Sequence, residues 1–340
     1  MSPSPNYLLR AARASDLPAL YQMAKSTGGG FTNLPPDRPT LKAKLARAEA
    51  CFARQDDRLA DDLFLFVLED TASGKVRGTC QIFSRIGSRR PFYSYRITNF
   101  TQYSQELDRT IRAEMLVLST DLDGASEVGG LFLLAGDRAA GTGALLARSR
   151  YLFMATHRAR FAEKTIAELR GAHDETGGSA FWDGLAGRFF GMSFREADDF
   201  NAVHGNQFIA DLMPKHPIYT ALLPETALAV IGKPHQSGRA AQRMLENEGF
   251  RYECYVDVFD GGPTMTATTD EIATIKDAVT APVVGLADEG TDCLVATGKG
   301  AAFRACVGAI SPGTGGIMVA SETAEILGIS IGNSVTYVPR

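Results

Sequence analysis

The sequence has little excess charge of either sign and no long hydrophobic run. Its 340 residues include 35 Lys or Arg and 39 Asp or Glu, which gives a formal net charge of −4 at pH 7. Without a net positive field, the chain is not expected to bind nucleic acid. Its strongly apolar stretches, such as 63–68, are far shorter than the roughly 20 residues that span a bilayer. No membrane partner is expected, and residues 1–6 do not resemble a secretory signal.

Cysteine and histidine are also scarce, with five of each. No two cysteines form a Cys-x-x-Cys pair, and an odd number does not favour a disulfide framework. We expect buried or half-buried thiols in a reducing cytoplasm. No two histidines stand at metal-ligand spacing with a third ligand nearby, so no metal site is expected.

Short strands and helices alternate along most of the chain, which predicts a mixed α/β (α+β) fold. Strands are predicted at 7–10, 63–68, 76–83, 126–134, 165–170 and 252–259, extended segments at 96–100 and 114–119 with a polar stretch between them, and helices at 40–54 and 144–155. Short strands separated by Gly, Asp and Pro follow in the last 75 or so residues. We therefore predict two domains, a mixed sheet flanked by helices at 1–265 and a small β-rich domain at 266–340.

The loop 138–143, Arg-Ala-Ala-Gly-Thr-Gly, follows a predicted strand and opens a predicted helix. A helix N-terminus offers unpaired N–H groups, and glycine lets the backbone approach an anion closely, so this loop can hold a phosphate. A nucleotide P-loop would need Lys after the glycines. A Rossmann fingerprint would follow the first strand. Neither pattern is present.

The pattern Arg/Gln-x-x-Gly-x-Gly/Ala is matched at Arg138, Gly141 and Gly143. It resembles the pyrophosphate loop of the GNAT acyl-CoA N-acyltransferases. The resemblance implies a GNAT-like sheet, with a strand that pairs with the pantetheine arm of CoA. The cofactor-binding residues that it implies are Leu131, Phe132, Leu133, Arg138, Gly141, Thr142, Gly143 and Ala144.

Longer blocks resemble the arginine N-succinyltransferases. They lie at 27–35, 174–182, 210–219, 230–235 and 259–264. That family transfers succinyl from succinyl-CoA to the α-amino group of L-arginine. The resemblance implies a cytoplasmic enzyme with succinyl-CoA as co-substrate and no permanently bound cofactor. It also implies a homo-oligomer, or a hetero-oligomer with a related subunit.

His235 matches the position that the family uses for proton transfer. An imidazole with a pKa of ~6.5 suits either removal of a proton from the amine or donation of one to the leaving thiolate. His216 is the alternative, or a residue near the substrate. Since no cysteine stands where a nucleophile is needed, direct attack by the amine is expected.

Candidate substrate residues occupy two loops. Asp174 and Glu175 are candidates for binding the guanidinium group of arginine, because paired carboxylate hydrogen bonds supply both geometry and charge. Gly28, Gly29 and Gly30 stand where GNAT enzymes place the acceptor. The distal succinyl carboxylate needs a cation, for which the sequence offers Arg90, Arg170 and Lys215 without selecting among them.

Two other functions remain open at this point. The chain could be another amino-acid N-acyltransferase, with ornithine as acceptor or acetyl-CoA as donor. It could instead be a mainly structural subunit of a heteromeric succinyltransferase. The intact loop at 138–143 and His235 argue against a purely structural role, which would require neither.

Overall fold

The computed structural model of the protein describes residues 7–27, 33–138, 141–174, 176–204 and 207–340. Fifteen β-strands and eleven α-helices occur in this part of the chain. The strands are β1 (Tyr7–Ala11), β2 (Leu63–Asp70), β3 (Lys75–Phe83), β4 (Ser94–Ser104), β5 (Arg109–Ser119), β6 (Ser126–Leu133), β7 (Lys164–Glu168), β8 (Ile218–Tyr219), β9 (Arg251–Asp257), β10 (Pro263–Thr268), β11 (Val279–Leu286), β12 (Thr291–Thr297), β13 (Arg304–Gly313), β14 (Gly316–Val319) and β15 (Ser334–Pro339). The helices are α1 (Leu17–Ser26), α2 (Arg38–Ala53), α3 (Thr142–Thr156), α4 (Ala180–Gly184), α5 (Gly187–Phe190), α6 (Phe194–His204), α7 (Gln207–Leu212), α8 (Glu225–Leu228), α9 (Arg239–Asn247), α10 (Ala273–Lys276) and α11 (Ser321–Leu327).

The strands form one mixed sheet. Its central part has the order β1-β2-β3-β6-β7-β10-β9, and β4, β5 and β8 extend it beyond β9. Among the strands of the described ranges, only β6–β7 and β11–β14 pair in parallel. The other strand pairs are antiparallel, as hairpin connections allow.

Helices α2 and α3 cover the same face of the sheet. Phe52 of α2 lies 5.2 Å from Phe64 and 5.3 Å from Phe66 of β2, measured between ring centroids. Phe153 of α3 packs against the same two rings at 4.8 and 5.1 Å. Since all four rings are buried, they form the aromatic centre of the largest hydrophobic core.

Strands β6 and β7 separate almost as soon as they meet. Their parallel ladder contains only Ser126 with Thr165 and Glu127 with Ile166. Beyond Glu127, β6 continues to pair with β3, and β7 continues to pair with β10. A wedge therefore opens between the two central strands, and one edge of β6 faces into it.

A β-bulge bends β6 at the mouth of this wedge. Thr79 of β3 pairs with Phe132, but Gln81 pairs with Gly129, so two residues of β6 oppose one of β3. One of those two is Gly130, which has a φ of +59°. A Cβ there would lie 2.9 Å from Cγ of Gln81, so both the backbone conformation and the space require glycine.

The last five strands, β11 to β15, form a closed ring. They follow the order β12-β15-β11-β14-β13, and β13 then pairs with β12 to close it. A closed ring leaves no free sheet edge within it. It joins the rest of the sheet where Leu9 and Arg10 of β1 pair with Ala305 and Arg304 of β13.

The predicted α/β fold, with a mixed sheet flanked by helices, is confirmed. The division at residue 265 remains a prediction. Residue 265 lies within β10, which pairs with β7 and β9. The ring of five strands begins at residue 279.

The expectation that the thiols are buried or half-buried is wrong for Cys254, which is exposed. Here β9 carries two extra residues relative to β10, since Thr264 pairs with Tyr255 and Met265 pairs with Tyr252. Cys254 has a φ of +64° in this bulge, which breaks the alternation that would turn its side chain inward.

Replacing Gly130 by Ala should test whether the bulge shapes the wedge. We expect the free energy of unfolding to fall by about 1–2 kcal/mol, because an L-residue would be forced into the left-handed region beside Gln81. Urea denaturation measures the change. Gly143→Ala is the control, because its Cβ would have no neighbour within 4 Å and alanine favours a helix. Equal stability of the two variants would contradict the prediction.

Candidate active site

The predicted phosphate loop leads from β6 into α3. Asp137, which is buried, accepts hydrogen bonds from Tyr7 Oη at 2.8 Å and from Arg77 Nε at 3.0 Å. Arg138 Nε donates to the carbonyl of Leu133 at 3.0 Å. The first half of the loop is thus anchored to β1, β3 and β6.

Gly141 is the N-cap residue of α3 and has a φ of +80°. The backbone N–H groups of the first turn of α3 point toward its N-terminal end, although that of Ala144 donates to the carbonyl of Gly141 at 3.0 Å. A Cβ on Gly141 would collide with the guanidinium group of Arg340, which belongs to the chain segment after β15. The loop therefore combines helix amides with arginine side chains, an arrangement suited to a phosphate anion.

Leu131, Phe132 and Leu133 occupy the end of β6 beyond its separation from β7. Leu133 is buried, and the other two are half-buried. In the described ladders this part of β6 pairs with β3, and the ladder with β7 ends at Glu127. A pantetheine arm could pair there as an added strand would.

His235 lies beside the end of β7. Its backbone N–H donates to the carbonyl of Arg170 at 2.8 Å, and Pro234 forms an isolated bridge with Gly171. Partial burial, followed by the charges of Arg170 and His173, lowers the pKa of the imidazole, and Asp260 opposes them. The neutral form of His235 is therefore favoured at neutral pH.

The hydrogen bonds of His235 indicate its tautomer. Nδ1 accepts from the backbone N–H of Ser237 at 3.2 Å and lies 2.7 Å from the hydroxyl oxygen of Ser237. A backbone N–H can only donate, so Nδ1 carries no proton in this arrangement. The proton of the neutral ring is then on Nε2, which makes Nε2 a donor.

Three carboxylates share one face of the sheet next to the wedge. Glu127 pairs with Ile166 of β7, and Glu168 lies two residues further on the same face. Glu168 pairs with Thr264 of β10, which pairs with Tyr255 of β9, two residues before Asp257. We call Glu127, Glu168 and Asp257 the acidic face.

The residues of the acidic face hold protons more tightly than ordinary carboxylic acids. Burial, together with Asp257, raises the pKa of Glu127 to about 7, and Lys44 opposes the increase. Burial and the neighbouring Asp260 raise the pKa of Asp257 to about 7. Burial, Asp257 and Glu127 raise the pKa of Glu168 well above its usual range. Carboxylates with such pKa values can exchange protons at neutral pH.

A second polar group faces the bulge. Lys44 Nζ donates to the carbonyl of Asn33, and Gln81 Nε2 donates to Asn33 Oδ1 at 2.5 Å. Burial lowers the pKa of Lys44 to about 7, although Glu127 opposes this. Asn33 Nδ2 would lie 3.1 Å from a Cβ on Gly129, so the amide lies close to β6 where the wedge begins.

The other predicted substrate residues are placed less closely together. Asp174 is exposed, and its Oδ1 accepts from Thr176 N, Thr176 Oγ1 and Gly178 N at 2.7–2.8 Å, within its own loop. His216 is exposed in the connection between α7 and β8. Glu175, Gly28, Gly29 and Gly30 lie outside the described residues. The roles predicted for all six residues remain predictions.

Sequence reasoning did not single out Glu168, Asp257, His173 or Lys44. Nothing about their spacing marks them as a group, because four separate elements bring them together. The one available signal was the polar residues within apolar strands, as in Thr-Ile-Ala-Glu-Leu at 165–169. An acidic residue that ends a buried strand indicates either a surface turn or a site, and only the fold distinguishes them.

The chain is similar to proteins of one known family. Residues 7–274 match the family model described as arginine N-succinyltransferase beta subunit, and residues 277–339 match the model of its C-terminal domain. The chain is 40% identical over 334 residues to an arginine N-succinyltransferase of Citrobacter koseri, covering 97% of each chain. It is 41% identical over 335 residues to arginine N-succinyltransferase subunit beta of Pseudomonas aeruginosa, covering 98% of each chain.

A solved structure agrees with these matches. The arginine/ornithine succinyltransferase subunit AI of Pseudomonas aeruginosa superposes with a TM-score of 0.88 at 33% identity, covering 98% of each chain. The resemblance predicted from the sequence motifs is thereby confirmed. Among the described residues, no helix is long and apolar enough to cross a membrane. No group of three or more metal-binding side chains was found in that same part of the chain.

The raised pKa of Glu127 predicts that its burial costs stability at high pH. An acid whose pKa is raised on folding binds more protons folded than unfolded, so stability falls as the pH rises from about 4.5 to about 7. We expect Glu127→Gln to gain stability relative to the parent as the pH increases from 5 to 8, by an amount of the order of 2 kcal/mol. Urea unfolding at both pH values measures it.

Glu253→Gln provides the matched control, because Glu253 is an exposed carboxylate of β9. The free energy of unfolding of this control should change between the two pH values as that of the parent does. If the free energy of unfolding of Glu127→Gln also changed with pH as that of the parent does, burial would not raise the pKa of Glu127.

Proposed function

Because this chain belongs to the arginine N-succinyltransferase family, we propose that it transfers succinyl from succinyl-CoA to the α-amino group of L-arginine. The observation that carries the proposal is the wedge between β6 and β7. Because the two strands are parallel, the phosphate loop after β6 and His235 beside the end of β7 both lie at its open end, and Glu127 of the acidic face lies at its narrow end. The donor and the acceptor could therefore meet within it.

The donor would bind along β6. The amides at the start of α3 would receive the CoA phosphates, and Arg138 and Arg340 lie next to that helix end. The pantetheine amides would pair with the backbone of Leu131, Phe132 and Leu133. This placement brings the thioester into the wedge, which narrows to the pair of Glu127 and Ile166.

The chemical step would be direct attack of the amine on the thioester carbonyl. The new C–N bond forms, the C–S bond breaks, and the amine loses a proton as the CoA thiolate leaves. Glu127 fits the role of proton acceptor, because its pKa is raised to about 7 at the base of the wedge. His235 fits the role of donor to the thiolate, because its Nε2 carries the proton when Nδ1 accepts from Ser237.

We also propose the finer properties of the enzyme. Succinyl-CoA is a co-substrate rather than a resident cofactor, and the protein acts in the cytoplasm as an oligomer of itself or with a related subunit. A relative of similar length is named as a subunit, which supports an assembly. The two-domain organisation divides the acyltransferase sheet from the C-terminal ring of strands.

The activity is tested by assaying CoA release from the chain purified alone. Arginine with succinyl-CoA should give the highest kcat/KM. Ornithine as acceptor and acetyl-CoA as donor are the comparisons. Equal rates with acetyl-CoA would indicate a general amino-acid acyltransferase. No release with any pair would indicate that the chain needs a catalytic partner.

Gly143→Glu should abolish succinyl-CoA binding without unfolding the protein. A Cβ at Gly143 meets no atom within 4 Å, so the side chain can be accommodated, but its carboxylate would repel phosphates at the start of α3. The thermal shift produced by CoA measures binding, and Gly143→Gln separates charge from bulk. A Glu variant with the full parental shift would show that the phosphates bind elsewhere.

The two proton-transfer roles predict different pH profiles. Glu127→Gln should lower kcat by roughly 10²–10⁴-fold, with a larger loss at pH 7 than at pH 9, because more of the amine is already unprotonated at high pH. His235→Ala should lower kcat in the same range but about equally at both pH values, because it donates to the thiolate. Both variants should keep the parental CoA thermal shift. If His235→Ala showed the larger loss at pH 7 and Glu127→Gln lost activity equally at both pH values, the two proton-transfer roles would be reversed.

A further inference from the structure

The acidic face contains buried polar atoms that the described part of the chain leaves without a hydrogen-bond partner. Oε1 of Glu168, Oγ1 of Thr264 and Oγ of Ser94 are all of this kind. Thr264 pairs directly with Glu168, and Ser94 of β4 pairs directly with Asp257, so these side chains lie on the same face as the carboxylates. Unpaired buried polar groups cost free energy, and a bound ligand can remove that cost.

His173 adds a similar observation from the loop after β7. Its side chain is only 2% exposed, and Nε2 lies 3.5 Å from Oδ2 of Asp260. Neither ring nitrogen has a hydrogen-bond partner in the described ranges. Asp260 in turn raises the pKa values of both Glu168 and Asp257, so His173 borders the same group of carboxylates.

The charges of this region are poorly balanced. Glu127, Asp257 and Asp260 each raise the pKa of Glu168, which also forms a hydrogen bond with Asp257, so these carboxylates would repel one another when all are ionised. The charge of Lys44 lowers the pKa of Glu127 but offsets only part of its increase. A cationic ligand stabilises the charged carboxylates, and one that carries several N–H groups can pair with several oxygens at once.

We propose that Glu168 and Asp257 bind the guanidinium group of the acceptor arginine. This assignment rests on the proposed function. Guanidinium is a planar cation with five N–H donors that suits two neighbouring carboxylates. Glu168 and Asp257 are half-buried as residues, and Oε1 of Glu168, which is itself buried, has no hydrogen-bond partner among the described residues.

The spacing along the strand also fits an arginine that spans the site. Glu127, the proposed acceptor of the α-amine proton, pairs with Ile166. Glu168 lies two residues beyond Ile166, which corresponds to roughly 6.6 Å along the strand. This offset is comparable to the length of an extended arginine side chain. The α-amine would then lie near the thioester, with the guanidinium further along β7.

The exposed loop carboxylate is a less suitable partner. Oδ1 of Asp174 already accepts three hydrogen bonds from its own loop. Those bonds stabilise its charge and lower its pKa, so a further cation would gain less there. Asp174→Asn therefore tests the rival site against Glu168→Gln.

The test compares arginine with citrulline, its neutral isostere, on the full-length protein. Steady-state kinetics with succinyl-CoA give kcat/KM for both acceptors. Glu168→Gln should lower kcat/KM for arginine by roughly 10- to 100-fold and change the citrulline value by less than about threefold. Asp257→Asn should do the same. Glu253→Gln is the control and should keep the parental preference, whereas loss of the preference in Asp174→Asn but not in Glu168→Gln would place the guanidinium at the Asp174 loop and overturn the assignment.

Titration calorimetry of arginine and citrulline in the presence of CoA makes the test independent of turnover. If the parent binds arginine more tightly than citrulline and Glu168→Gln removes the difference, the assignment holds even without succinyl transfer. If the parent transfers succinyl and Glu168→Gln keeps its arginine preference, the assignment is wrong although the proposed function stands. Equal losses for both acceptors would also overturn it, since they would place Glu168 at the α-amine. Parental CoA binding and melting temperature establish that each variant is folded.

Discussion

Parallel pairing of β6 and β7 over only two residue pairs is the constraint on which the proposed site depends. Continued pairing would hold the two strands about 4.8 Å apart and leave no room for a thioester between them. The bulge at Gly130 turns β6 away, β10 keeps β7 in place, and the backbone facing the wedge remains open to a ligand. The phosphate loop, the acidic face and His235 matter because each of them lies on the rim of this opening.

The acidic face illustrates a conflict between stability and binding. Mutual repulsion and burial favour protonated carboxyl groups at Glu168 and Asp257, although a cationic substrate would be held best by charged ones. A well-packed apolar surface at the same positions would fold more stably. Natural proteins retain such unfavourable groups mainly where a function needs them, and in this chain they adjoin the wedge.

Local features of the sequence predicted much of the fold and part of the candidate site. The strand, loop and helix around residues 126–155 follow from an apolar run, two glycines and helical spacing, all contained within about 30 residues. The acidic face could not be predicted in this way, because β-strand register decides which of Glu168 and Leu169 faces the wedge.

The predicted extended segments at 96–100 and 114–119 are confirmed, but the polar stretch between them continues both strands as an exposed ribbon. A two-stranded ribbon open to water on both faces has no hydrophobic alternation to reveal it.

The junction between β1 and β13 has a consequence for how this chain folds during synthesis. Leu9 emerges from the ribosome among the first residues, whereas its partner Ala305 belongs to the ring of strands near the far end of the chain. At 5–20 residues per second, β1 must wait on the order of 15–60 s with one edge unpaired. Until β13 arrives, β1 can pair only with β2, and its other edge presents Leu9 and Arg10 to any strand nearby. Nascent chains of this protein should therefore be most dependent on chaperones late in translation, after the central sheet has formed and before the ring has closed.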